Sequence, residues 1–135
     1  METKEFKTEW CLLQNQFDSY EKHSLYIKLL SVIVLLAAEV SDVINIFIVL
    51  VLVVLWLQDA IWKTFQSRIE PRLLQIEKYI SEKSEESAFQ FNTEYHKVRF
   101  SGISLINEYV RQSMRPTVAF PHIVLILILL IEYLR

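Results

Sequence analysis

The stretch SVIVLLAAEVSDVINIFIVLVLVVLWLQDAIW, residues 31–62, places two carboxylates inside the most hydrophobic part of the chain. The insert Glu39-Val-Ser-Asp42 separates two apolar runs that together reach from Leu25 to Trp62. A single straight helix over that distance would be about 57 Å long, nearly twice the roughly 30 Å hydrocarbon core of a bilayer. It would also hold the carboxylates near mid-membrane, at an insertion cost of roughly 2.5–3.5 kcal/mol for a central Asp. Folding back at residues 39–42 removes both difficulties. The pattern therefore predicts a transmembrane helical hairpin over 25–62, with spans at 25–40 and 43–62. Ser41 or Asp42 is expected to cap the second helix.

The charges suit this reading because they are segregated from the apolar runs: a mean hydropathy of +0.28 coexists with 22% charged residues. The connector carries no Lys or Arg, whereas Lys4, Lys7, Lys22 and Lys28 precede the hairpin and Lys63, Arg68 and Arg72 follow it. The positive-inside rule then puts both outer flanks in the cytoplasm and the acidic turn outside. Lys28 and Lys63, with Trp56 and Trp62, are expected to anchor the cytoplasmic interface. No signal peptide is visible in the polar first 22 residues, so a retained N-terminus is expected.

One Gly and three Pro in 135 residues argue for long helices with few interruptions. In the N-terminal segment 1–22, Phe6, Trp10, Leu13, Phe17 and Tyr20 recur at helical spacing and form the candidate oligomer or partner interface. The stripe is expected to pack on neighbouring helices of this chain or of an identical subunit. A helix lying flat on the membrane is disfavoured by its Lys-poor polar face. Residues 63–115 read as a cytoplasmic helical pair: a stripe of Ile69, Leu73, Ile76 and Ile80, with a kink or restart near Arg68–Pro71, then a turn at 81–87. A further helix through Phe91, Tyr95, Val98, Leu105 and Tyr109 follows, with Gly102 inside it. Residues 117–134 are expected to form a third transmembrane or membrane-embedded helix, shortened to a re-entrant piece if it begins at Pro121. The chain would then end outside. The fold class is an all-α integral membrane protein, and the economical, positive-inside design suits a bacterial inner membrane.

Chemistry-bearing motifs are sparse. One Gly cannot build a phosphate-cradling loop. Cys11 stands alone, and His23, His96 and His122 lie on separate segments, so no metal or cofactor site is expected. A net charge of −2 offers no basic field for nucleic acid. Glu94, His96 and Lys97 read as a solvated face, and His122 as a lone interfacial His. Lys28, Asp59 and Glu132 all fall near expected interfaces, which leaves no deep carboxylate for a coupled transporter. Two functions remain. One is a non-catalytic membrane protein, not an enzyme, that oligomerises or serves another membrane protein as an accessory or scaffold subunit. The other is a homo-oligomeric channel or pore-forming effector with Glu39 and Asp42 ringing its mouth. In its leading helix, tight hairpin and following cytoplasmic helix, residues 1–85 are similar in topology to the small two-span effectors of the SLATT family. That resemblance implies a pore-forming role, and the third apolar segment departs from it.

Overall fold

In a computed structural model that describes residues 2–135, the chain forms five helices: α1 (Glu2–Val40), α2 (Ile46–Glu82), α3 (Phe91–Val98), α4 (Ile103–Ser113) and α5 (Pro116–Leu134). Among the described residues there is no β-strand. Three of the helices, α1, α2 and α5, are long and apolar enough to cross a membrane.

The first two helices, of 39 and 37 residues, extend far beyond their apolar halves. They lie side by side and antiparallel: Ser24 meets Asp59, Glu21 meets Lys63, Glu9 meets Arg72 and Phe6 packs on Tyr79. Neither breaks where polar sequence takes over, because Gly is absent from both and good helix formers dominate. The link is wider than the predicted turn. Helix α1 ends at Val40, and Asp42 takes a left-handed backbone (φ 54°). The cap of α2 is Asn45 rather than Ser41 or Asp42. Its side-chain oxygen accepts from the N–H groups of Phe47 (2.9 Å) and Ile48 (3.3 Å). That geometry needs an extended residue directly before the first turn, which Asn45 supplies.

Pro71 neither ends nor restarts α2, which runs through it to Glu82. Lys83 then closes the helix in the left-handed conformation, its N–H returning to the Tyr79 carbonyl. The single helix expected over 88–114 is instead two. Gly102 adopts φ 57°, ψ −130°, a region that disfavours any residue with a Cβ, and the chain turns there between α3 and α4. Helix α5 begins at Pro116, not Pro121. Pro116 occupies the first helical position, where its missing N–H costs nothing, and Pro121 lies within the helix. The resulting 19 residues rise about 28 Å.

Leu129 of α5 packs with Leu35 of α1 and with Val49 and Leu52 of α2, so the C-terminal end of α5 lies beside the 41–45 link. The three apolar stretches thus form one three-helix bundle. Helices α3 and α4 pack along the more polar half of α2.

Two local claims are open to test by thermal unfolding in detergent. Asn45→Ala should cost about 1 kcal/mol through loss of the cap. Gly102→Ala should cost about 1–3 kcal/mol through backbone strain alone, since open space surrounds the new Cβ. An unchanged midpoint for Gly102→Ala would show that α3 and α4 are not held apart by that turn.

Candidate functional site: a polar cluster in the apolar bundle

Four polar side chains from all three long helices converge between them. Asp59 on α2 is fully buried, as is Ser24 on α1, and His122 on α5 is only 1% exposed. The Ser24 hydroxyl donates to Asp59 Oδ1. His122 Nε2 donates to Asp59 Oδ2 at 3.0 Å. Lys28, one turn along α1 from Ser24, donates to the Ser24 hydroxyl at 3.1 Å and lies 3.6 Å from Asp59 Oδ2. Both carboxylate oxygens are therefore engaged, and a cation balances the charge. A buried carboxylate needs this arrangement, because an unpaired one would be too costly to keep ionised. His122 Nδ1 has no hydrogen-bond partner. With Nε2 donating to the carboxylate, a neutral imidazole here is the Nε2–H tautomer.

The three helices agree on the depth of this cluster. At 1.5 Å per residue, Lys28, Asp59 and His122 each lie about 18–20 Å from the end of the bundle marked by Val40, Ile46 and Leu134.

Away from that end, polar pairing continues along the α1–α2 seam. Lys63, 7% exposed, reaches Glu21 (2.5 Å) and Gln66 (3.1 Å), and Gln66 also donates to Glu21 (2.8 Å). Tyr20, His23, Trp62 and Phe65 stack beside these groups, with ring centroids 4.8–6.0 Å apart in the contacting pairs Tyr20–Trp62, Tyr20–Phe65, His23–Trp62 and Trp62–Phe65. Further out, buried Glu9 accepts from Arg72 through both oxygens (2.8 and 3.0 Å) and from the Phe89 N–H (2.6 Å). That last bond holds Phe89 at φ 59°, an uncommon backbone for a bulky residue. Glu9 thereby joins α1, α2 and the 83–90 link.

The sequence-derived candidates fall as follows. The stripe Phe6, Trp10, Leu13, Phe17 and Tyr20 faces α2 of the same chain. Phe6 is buried against Tyr79, the Trp10 indole donates to Glu77 (3.0 Å), and Tyr20 stacks on Trp62. Packing on a neighbouring helix of this chain is one of the two expected arrangements, and the α1–α2 pairing, which extends beyond the apolar halves, covers much of this surface. Of the proposed anchors, Lys63 is spent on Glu21 rather than free to reach an interface, and Lys28 turns to Ser24 and Asp59. Trp56 donates to the Ser113 carbonyl at 3.0 Å. Glu39 and Asp42 lie at the 41–45 end: Asp42 is exposed, and one Glu39 oxygen is buried without a partner. Glu94 and Lys97 form an exposed pair at 2.7 Å, and the bond from Lys97 holds the Glu94 carboxyl below its ordinary range. His96 and Cys11 are exposed.

His122 reads from sequence as a lone His, and the structure instead places it against Asp59, with Ser24 and Lys28 also beside the carboxylate. The signal was present in the spacing. A hairpin folded near residue 43 brings side by side residues equally distant from it, and Lys28 and Asp59 meet that condition. Counting from the end of the third apolar run brings His122 to the same level. A cavity of about 590 Å³ lies elsewhere, between α2, α3 and α4, where Arg68 covers the rings of Phe65 and Tyr95. Among the described residues no group of three His, Cys, Asp or Glu side chains comes together. Comparison with protein-family models, with curated proteins and with solved structures gave no match.

If the cluster joins the bundle, Asp59→Leu should cost about 3–5 kcal/mol, because it leaves half-buried Lys28 and buried His122 without their acceptor. Adding Lys28→Met should recover part of that loss. Additivity of the two within about 0.5 kcal/mol, measured by unfolding in mild detergent, would show that the two groups are uncoupled.

Proposed function

We propose that this chain is a three-span integral membrane protein that works without catalysis, as an assembly or accessory subunit. The observation that carries the reading is the orientation of its side chains. In the apolar half the bundle turns large hydrophobic groups outward: Ile33 (60% exposed), Phe47 (67%), Val54 (62%) and Leu127 (53%). Its polar groups Ser24, Asp59 and His122 face inward. This is the reverse of a bundle built for water, and it suits a lipid solvent in which polar groups must be satisfied within the protein. The cationic flanks place the N-terminus and the α1–α2 extension in the cytoplasm, the 41–45 link and the C-terminus outside, and the bacterial inner membrane fits that charge asymmetry. In this orientation the cluster lies about 10 Å inside the cytoplasmic face of a roughly 30 Å core.

The non-catalytic reading rests on how the polar groups are used. Asp59, Lys28 and Ser24 satisfy one another, and His122 completes the set, which is the behaviour of a lock between helices. A second copy of the chain or another membrane protein would be the partner. A homo-oligomeric pore is the second reading. It is favoured by exposed Asp42 and by the unpartnered Glu39 oxygen at the outer end, where a ring of copies would gather carboxylates at a mouth.

Topology can be read from the single native thiol. Cys11 is exposed on the extension of α1. A membrane-impermeant maleimide should leave it unlabelled in intact cells and label it once the membrane is opened. An Arg135→Cys chain carrying Cys11→Ser should show the opposite pattern. Labelling of Cys11 in intact cells would reverse the orientation. Native mass spectrometry from mild detergent addresses assembly: a closed homo-oligomer or a stoichiometric complex is expected, and a strictly monomeric protein would remove both the subunit and the pore readings.

A further inference from the structure

Helix α4 is built inside out. At 100° per residue, Ile103, Ile106, Val110 and the capping Met114 fall within a sector of about 80°. All four are exposed, at 85%, 61%, 53% and 60%. The opposite side carries buried Glu108 and Gln112 with half-buried Leu105 and Tyr109 between them, and buried Ser113 lies beside Ile106. Glu108 lies 3.6 Å from Arg68 of α2, and the Ser113 carbonyl accepts from the Trp56 indole. The helix thus turns its buried polar side chains to the protein and an apolar stripe to the surroundings. Water would penalise this arrangement, and nothing else among the described residues covers the face.

Its position indicates what does. The C-terminal end of α4 runs directly into α5, whose 19 residues rise about 28 Å, so that end lies by the cytoplasmic end of the span, where the long Trp56 indole reaches the Ser113 carbonyl. Only Met114 and Arg115 separate α4 from α5, whose exposed Phe120 (70%) continues the apolar surface. Arg111, exposed, lies beside the face, and Arg115, also exposed, directly follows it and donates to Gln112 at 3.1 Å. Apolar residues on one side with arginines at the border are the pattern of a helix lying in a lipid interface.

We propose that α4 is an interfacial helix. Its Ile103–Ile106–Val110–Met114 face lies in the acyl–headgroup boundary of the cytoplasmic leaflet of the same bilayer that α5 crosses, with Arg111 and Arg115 on lipid phosphates. The assignment rests on the three-span reading above, and the test separates the two. The full chain with Cys11→Ser is reconstituted in vesicles of phosphatidylcholine and phosphatidylglycerol at three to one. It then carries one nitroxide at a time, on Ile106→Cys, Val110→Cys, Ser104→Cys or Leu127→Cys. Collision with oxygen, which concentrates in lipid, is compared with collision with a water-soluble nickel chelate. Labels at 106 and 110 should favour oxygen as Leu127→Cys does, and the label at 104 should favour the chelate. Chelate-accessible labels at 106 and 110 beside a lipid-exposed Leu127→Cys would overturn the interfacial helix and leave the spans intact. A chelate-accessible Leu127→Cys would overturn the three-span reading itself. Labels at 106 and 110 shielded from both reagents, with spin–spin broadening, would assign the face to a second copy instead and also overturn the proposal.

Discussion

A carboxylate that cannot reach water organises this molecule. Asp59 lies among three helices whose surfaces are otherwise hydrocarbon, and hydrocarbon packing alone gives little reason to prefer one register over another. A buried ionic group differs, because it is tolerable in very few arrangements. Ser24, Lys28 and His122 supply one such arrangement, with donors on both sides of the carboxylate and a neutralising cation. Sliding α1 by one residue would carry Ser24 and Lys28 off this face together. Rotating α5 would remove His122. The polar group thus contributes specificity that the leucines and valines around it do not.

The same logic is repeated outward along the α1–α2 seam, with different partners. Lys63 answers Glu21, and Arg72 answers buried Glu9, as the sequence of both helices becomes more polar. The seam passes from a closed polar cluster, through an aromatic layer of Tyr20, His23, Trp62 and Phe65, to a bidentate arginine–carboxylate pair. These are three ways of holding two helices together, and the bidentate pair is the most exacting in geometry.

The helical character, the fold-back near residues 39–42 and the three apolar stretches were legible because each rests on a long, cumulative pattern. Individual positions were harder. Asp59 and Lys28 looked interfacial because each was judged by its distance along its own helix; their burial depends on pairing across two helices and a third arriving from 60 residues away. His122 is unreadable without Asp59. The extra break at Gly102 was visible as a lone glycine, but a glycine in a helical pattern is ambiguous until its φ is known. The cap passed from Asp42 to Asn45 because the link is longer than the shortest one the pattern allowed. Lys63 reads as a snorkelling cation from sequence, and only the neighbouring Glu21 and Gln66 reveal it as a seam residue.

The unbroken length of α2 has a mechanical consequence. From Asp59 to Glu82 the helix continues for 23 further residues, about 35 Å, without a glycine and with its one internal proline absorbed. Beyond that level α2 is paired with α1 through Lys63–Glu21, Arg72–Glu9 and Phe6–Tyr79, so the two helices move as one rod, and a rod pinned at one level acts as a lever. A tilt of about 10° around the cluster, well within the range that membrane helices adopt, would sweep the far tip sideways by about 6 Å. Small changes in packing around the bundle would therefore reach the far end of α2 magnified, as displacement of the 83–90 link and of the short helix attached to it.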